Sequence, residues 1–143
     1  MTKGLVHVRI DDRLIHGQVA VYWCNAVNAT RIMVANDAMY DNDVQKAALR
    51  LVVPAGLKSS LLNVETATKN LVSGKYEGQR VILVVRRPSD VLRMMDGGVE
   101  IKELNVGNLP AREGTVNVKK SINVTAQEID EFKELDRRGV KLT

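Results

Sequence analysis

The residues Arg80-Val81-Ile82-Leu83-Val84-Val85 form an apolar run bounded by Arg80 and Arg86. A strand with one wet face alternates apolar and polar side chains, because successive side chains point to opposite faces of a sheet. Every position from Val81 to Val85 is apolar, so both faces must be covered, as in a central strand of a parallel sheet. On its N-terminal side, Leu57 to Asn63 reads as a strand and Val64 to Ser73 as a helix stopped by Gly74. On its C-terminal side, Pro88 starts a short helix carrying Val91, Leu92, Met94 and Met95, which Gly97-Gly98 ends. Glu103 to Val106 is the next strand, with Gly107-Asn108 as a turn beyond its end.

The same alternation continues to both ends of the chain. Leu5 to Ile10 is a strand, Gln18 to Val27 a helix, and Arg31 to Ala35 a second strand closed by Asn36-Asp37. Asp41-Asn42-Asp43 caps a helix that runs through Val53, where Pro54 and Gly56 close it. Leu109 to Asn123 is less regular, and Lys120 to Val124 is expected as a short antiparallel edge strand. Thr125-Ala126-Gln127-Glu128 is a capping box opening a helix to about Arg138, which Gly139 caps, and Val140 to Thr143 starts a last strand. Strands separated by helices imply right-handed βαβ crossovers. The expectation is one α/β domain over residues 1–143, doubly wound, with a mainly parallel central sheet and helices on both faces.

With 143 residues, 45% apolar and 27% charged, the chain is long enough for one layered core. Aromatic residues make up 3%, which leaves no stacking platform for single-stranded nucleic acid. The net charge of +4 comes from basic residues scattered in runs no longer than two, so nucleic acid is not expected as a partner. The single cysteine, Cys24, lies in the apolar run from Val19 and is expected as a buried thiol. No strictly apolar run exceeds six residues, and Arg9, Asp11 and Asp12 stand where a signal peptide would need its apolar core. A cytoplasmic chain, able to dock on a membrane protein, is the expectation.

In open α/β sheets ligands bind beyond the carboxyl ends of the strands, where strand order reverses. The turns there hold Asp11 to Gly17, Asn36-Asp37, Arg86-Arg87 and Gly107-Asn108. The first of them, Asp11-Asp12-Arg13-Leu14-Ile15-His16-Gly17-Gln18, joins a strand to a helix. A helix N-terminus offers unpaired amides and a positive dipole to an anion. Arg13 adds a planar cation suited to phosphate oxygens, and Gly17 allows close backbone approach. A neutral imidazole nitrogen on His16 is a nucleophile at cellular pH, so His16 is read as carrying a phosphoryl group, a helix-capping or solvated ring being the alternative. Asp11 or Asp12 either orients the loop and the ring or N-caps the helix. His7, between Val6 and Val8, reads as a packed or edge-strand residue. Arg86-Arg87 reads as a solvated strand end, a second phosphate site being the alternative, and Lys119-Lys120 reads similarly, with an active-site rim or partner surface as its alternative. Two isolated histidines and one cysteine give no metal-ligand spacing, and no glycine-rich nucleotide loop or hydrolase elbow is present.

The segment Arg9-Ile10-Asp11-Asp12-Arg13-Leu14-Ile15-His16-Gly17-Gln18-Val19 resembles the active-site segment of the IIB component of the mannose/fructose/sorbose-type phosphotransferase system. The likeness extends through Val34 to Asp37, Val81 to Val85, Gly97 to Val99, Asn105 to Asn108 and Ala126 to Gly139. It implies that His16 is phosphorylated on Nδ1 and that Arg13 stabilises the phosphate; from the missing ligand spacing and nucleotide loop, no metal or cofactor is expected. It implies a protein-phosphohistidine–sugar phosphotransferase, fed by a IIA component and passing the group to a sugar held by membrane IIC and IID components. The chain would then sit at the inner face of the membrane, with a homo-oligomer compatible and the sugar unspecified. Asn36, Asp37, Gly107 and Asn108 are expected on loops supporting the Asp11–Gln18 segment. Family domains usually continue past the position where Thr143 ends this chain, so the expectation is either a short last strand or one cut short by truncation. The competing expectation is a regulatory, receiver-like or anion-binding module in which Asp37 takes the phosphate.

Overall fold

All five residues of Val81–Val85 are buried, and the strand lies inside a six-stranded sheet. The computed structural model describes residues 1–143. The chain runs β1 Leu5–Asp11, α1 Gly17–Ala26, β2 Arg31–Ala35, α2 Asp37–Tyr40, α3 Asp43–Leu51, β3 Lys58–Leu62 and α4 Val64–Val72. It continues β4 Val81–Val85, α5 Pro88–Asp96, β5 Glu103–Asn108, β6 Val116–Lys119, β7 Ile122–Val124, α6 Ala126–Arg137 and β8 Lys141–Leu142. The sheet order is β3-β2-β4-β1-β5-β8, and every pairing within it is parallel.

Side chains alternate between two apolar clusters. Val81, Leu83 and Val85 of β4 join Met33 and Ala35 of β2, with Ala67 and Leu71 of α4, Val91 and Met94 of α5 and Leu135 of α6. On the opposite face Ile82 and Val84 join Ile32 and Val34, with Ala20 and Cys24 of α1, Met39 of α2 and Leu49 of α3. Each fully buried aliphatic side chain here contributes about 1.5–3 kcal/mol. Leaving β1, the chain crosses towards β2 and β3 over the α1 face. It returns over the other face to β4 and passes β1 to reach β5. The neighbours β1 and β4 thus send their chains in opposite directions, which puts the switch point at the loops after them.

Three expectations change. Gly107 and Asn108 belong to β5 rather than to a turn, because Asp11 pairs with Asn108 and the Asp12 amide donates to the Asn108 carbonyl at 2.9 Å. The expected antiparallel edge strand is not part of the main sheet: Ile122–Val124 pairs with Val116–Lys119 in a separate two-stranded ribbon. Asn36 does not simply end β2, since its side chain accepts from the Met39 amide at 2.8 Å and opens the four-residue α2.

Candidate functional site

β1 sends Leu5, Val8 and Ile10 into the larger apolar cluster, a one-residue irregularity intervening between Leu5 and His7. His7, Arg9 and Asp11 therefore line the other side of β1. His7 stacks on Trp23 of α1 with ring centroids 4.2 Å apart. Its Nε2 is buried without a hydrogen-bond partner, and burial, followed by the charge of Arg9, pushes its pKa down. Arg9 lies opposite Asn105 of β5 and donates Nη1 to the Asn105 Oδ1. A Cβ at Gly107 would come 2.1 Å from the Arg9 Cζ, so the guanidinium occupies the space that only glycine leaves.

Asp11 ends β1 with its carboxylate 1% exposed. That carboxylate accepts from the Arg13 amide, from Arg13 Nε and from Arg13 Nη2, each at 3.0 Å. It also accepts from Arg9 Nε and Nη2, both at 3.3 Å. These bonds to Asp11 hold the Arg13 guanidinium firmly protonated, raising its pKa further. Leu14 turns the chain through φ 63° while its side chain is 2% exposed. The left-handed conformation costs about 1–2 kcal/mol, and burial of the leucine offsets it at about 1.5–3 kcal/mol. Ile15 is buried with it against Ala20, Ile32 and Val34. Two apolar anchors thus pull the middle of the loop inward and leave Arg13 and His16 exposed on either side.

His16 occupies the N-cap position of α1 but makes no side-chain capping bond. Its carbonyl accepts from the Ala20 amide at 2.8 Å, while the amides of Gly17, Gln18 and Val19 have no acceptor within the chain. The exposed imidazole therefore stands beside three unpaired donors at the positive end of a ten-residue helix. Gly17 has open space where a Cβ would be, and Gln18 is exposed.

Neither Asp11 nor Asp12 caps α1, which begins five residues beyond Asp12. Asp12 is held from the loop after β4: Arg87 Nη1 lies 2.8 Å from its carboxylate, and Arg86 Nε donates to its carbonyl at 3.1 Å. Arg86 and Arg87 are thus not a solvated strand end but the pins of the neighbouring loop. The network goes on, since Arg87 approaches Glu128 at 3.8 Å and Arg112 makes a two-pronged bond to Glu128 at 3.0 and 3.1 Å. Asn108 reaches the site through its carbonyl on the Asp12 amide, and Gly107 through Arg9. Asn36 and Asp37 make no hydrogen bond to residues 11–18. The Asp37 carboxylate accepts from the Val64 amide at 2.9 Å and from Arg93 at 3.0 Å, and these bonds, the amide first, hold its pKa low.

Arg9 and Asn105 join the candidate site without a role assigned to either from the sequence, whereas Arg86-Arg87, placed there among the turns at the strand ends, is tied to Asp12. The spacing of Arg9 and Asp11 on one strand was the available signal, because alternate residues share a face.

The family described as PTS system sorbose subfamily IIB component matches residues 5–143. The sorbose-specific EIIB component of Klebsiella pneumoniae is 39% identical over 134 residues, covering 94% of this chain and 82% of that protein. The mannose-specific EIIAB component of Escherichia coli K12 is 40% identical over 142 residues, and the chain spans 43% of its length. The crystal structure of the IIBSor domain of the Klebsiella pneumoniae sorbose permease superposes with a TM-score of 0.92 at 38% identity, covering 96% of this chain and 85% of that one.

Proposed function

The chain belongs to the sorbose-subfamily IIB components of the phosphotransferase system, and from that premise we propose that His16 carries the phosphoryl group in transit. The observation that bears most weight is an exposed imidazole at a helix N-cap that spends no bond on capping. In the forward step Nδ1 of His16 attacks phosphorus in line, one N–P bond forming as the bond to the donor's imidazole breaks. The proton on the second nitrogen of His16 leaves to solvent, and the departing imidazole takes one up. Little covalent help is required; in-line positioning and charge stabilisation lower the barrier. Arg13 and the amides of Gly17, Gln18 and Val19 supply that charge.

The donor is a IIA component, fused to the IIB region in relatives named EIIAB. The acceptor is a sugar held by membrane IIC and IID components. Relatives are named for sorbose, mannose, fructose and N-acetylgalactosamine, which makes a hexose or N-acetylated hexosamine the substrate class. No helix is long and apolar enough to cross a membrane, and the attachment proposed is docking on IIC and IID at the inner face. The receiver-like alternative needs a free Asp37 carboxylate, whereas Asp37 is engaged by Val64 and Arg93. Incubation with phosphoenolpyruvate, the upstream phosphocarriers and a IIA component should give an acid-labile label that His16→Ala abolishes. Label that persists in His16→Ala, or that is acid-stable and hydroxylamine-sensitive, would reject the assignment.

A further inference from the structure

We infer that Arg9 is a positioning residue for phosphoryl transfer, acting through Asp11 on Arg13; this rests on the reading of His16 above. Asp11 alone beside Arg13 would make a nearly neutral pair with little net attraction for a dianion. With Arg9 on the same carboxylate the trio carries one surplus positive charge. Asp11 takes the Nε and Nη2 edge of Arg13, and Arg13 Nη1 bonds to nothing in the chain. The guanidinium is therefore held by one edge with its other end uncommitted, which is how a phosphate clamp is pre-oriented.

Depth separates the two arginines. The Arg13 side chain is 40% exposed and the Arg9 side chain 12%. Arg9 lies beneath, between Asp11, Asn105 and the bare α-carbon of Gly107, and is not placed to meet a phosphoryl group first. When Arg13 turns towards an arriving phosphate, Asp11 keeps a cationic partner. Without Arg9 that movement would strand a buried carboxylate, an expensive state. Gly107 belongs to the same device, since a Cβ there would evict the Arg9 guanidinium.

The test uses the full chain as wild type, Arg9→Gln, Arg9→Lys and Gly107→Ala, phosphorylated from a IIA component. Measured are kcat and KM for that donor, the labelled fraction at equilibrium, and the folded fraction by circular dichroism. Arg9→Gln should keep the donor KM while kcat and the labelling equilibrium constant each fall roughly tenfold, as expected for loss of one partly buried unit charge near a dianion. Arg9→Lys should recover most of that loss because the charge stays, and Gly107→Ala should resemble Arg9→Gln although Arg9 remains in the chain. A folded Arg9→Gln with wild-type kcat and labelling overturns the inference. So does a loss that tracks the folded fraction and is no smaller in Arg9→Lys. Absence of label from His16 in the wild type overturns the underlying reading instead, so the two failures are told apart.

Discussion

Replacing Asp11 with Asn takes the charge from a side chain that is 1% exposed and accepts from two arginines, and it leaves the volume almost unchanged. No cavity forms, so the cost is electrostatic. Arg9, 12% exposed, keeps Asn105 but loses its counter-charge. Breaking a buried pair from one side costs about 3–5 kcal/mol. Arg13 is 40% exposed and can turn to water, which limits its share to about 1 kcal/mol. Because Arg9 keeps some solvent contact, the expected total is about 3–4 kcal/mol. A chain of this length has on the order of 7–20 kcal/mol of stability, so Asp11→Asn should fold. Urea unfolding at pH 7, followed by far-ultraviolet circular dichroism, should show a lower midpoint at unchanged slope. In an Arg9→Gln background the penalty should fall to about 1 kcal/mol, the share of Arg13, since the stranded cation is gone. A penalty below about 1 kcal/mol, or one equal in both backgrounds, would refute the reasoning.

Two further outcomes follow from titrating groups outside residues 11–18. Burial and Arg9 lower the His7 pKa from 6.5, so the unfolded chain binds the proton more readily. Its contribution is then fully present above pH 6.5 and is lost as pH falls below it. His7→Phe keeps a ring on Trp23 and should remove that loss from urea midpoints measured between pH 7 and pH 5; an unchanged profile would exclude it. For Glu128, burial raises the pKa, but bonds from Arg112 and the Thr125 amide outweigh it and bring it below 4.5. That stabilisation is present above pH 4.5 and disappears as pH falls through the folded value. Glu128→Gln should cost about 2–3 kcal/mol at pH 7 and flatten the acid limb below pH 4.5. A variant as acid-sensitive as wild type would contradict this.

What could be read from the sequence was local in origin. Val81–Val85 announces a strand covered on both faces through its own composition, and Thr125 and Glu128 form their reciprocal cap from residues three apart. The setting of His16 and Arg13 was legible for the same reason, since strand, loop and helix follow one another without interruption. Gly107 and Asn108 read as a turn, because nothing near them announces that β1 continues the ladder past Val106. Arg86 and Arg87 read as solvated, because their acceptor on Asp12 lies 74 positions from Arg86. Arg9 went unassigned for a similar reason: its bond to Asn105 spans 96 positions and depends on the β1–β5 register, which no local pattern specifies.

With two histidines in the chain, the ring proposed to be phosphorylated is directly distinguishable from the other. Long-range 1H–15N spectra of the 15N-labelled chain, recorded before and after phosphorylation, resolve all four imidazole nitrogens. Nδ1 of His16 should acquire coupling to phosphorus while both nitrogens of His7 keep their positions. Phosphorus coupling at His7, or a phosphorylated chain in which no imidazole nitrogen changes, would contradict His16 as the carrier.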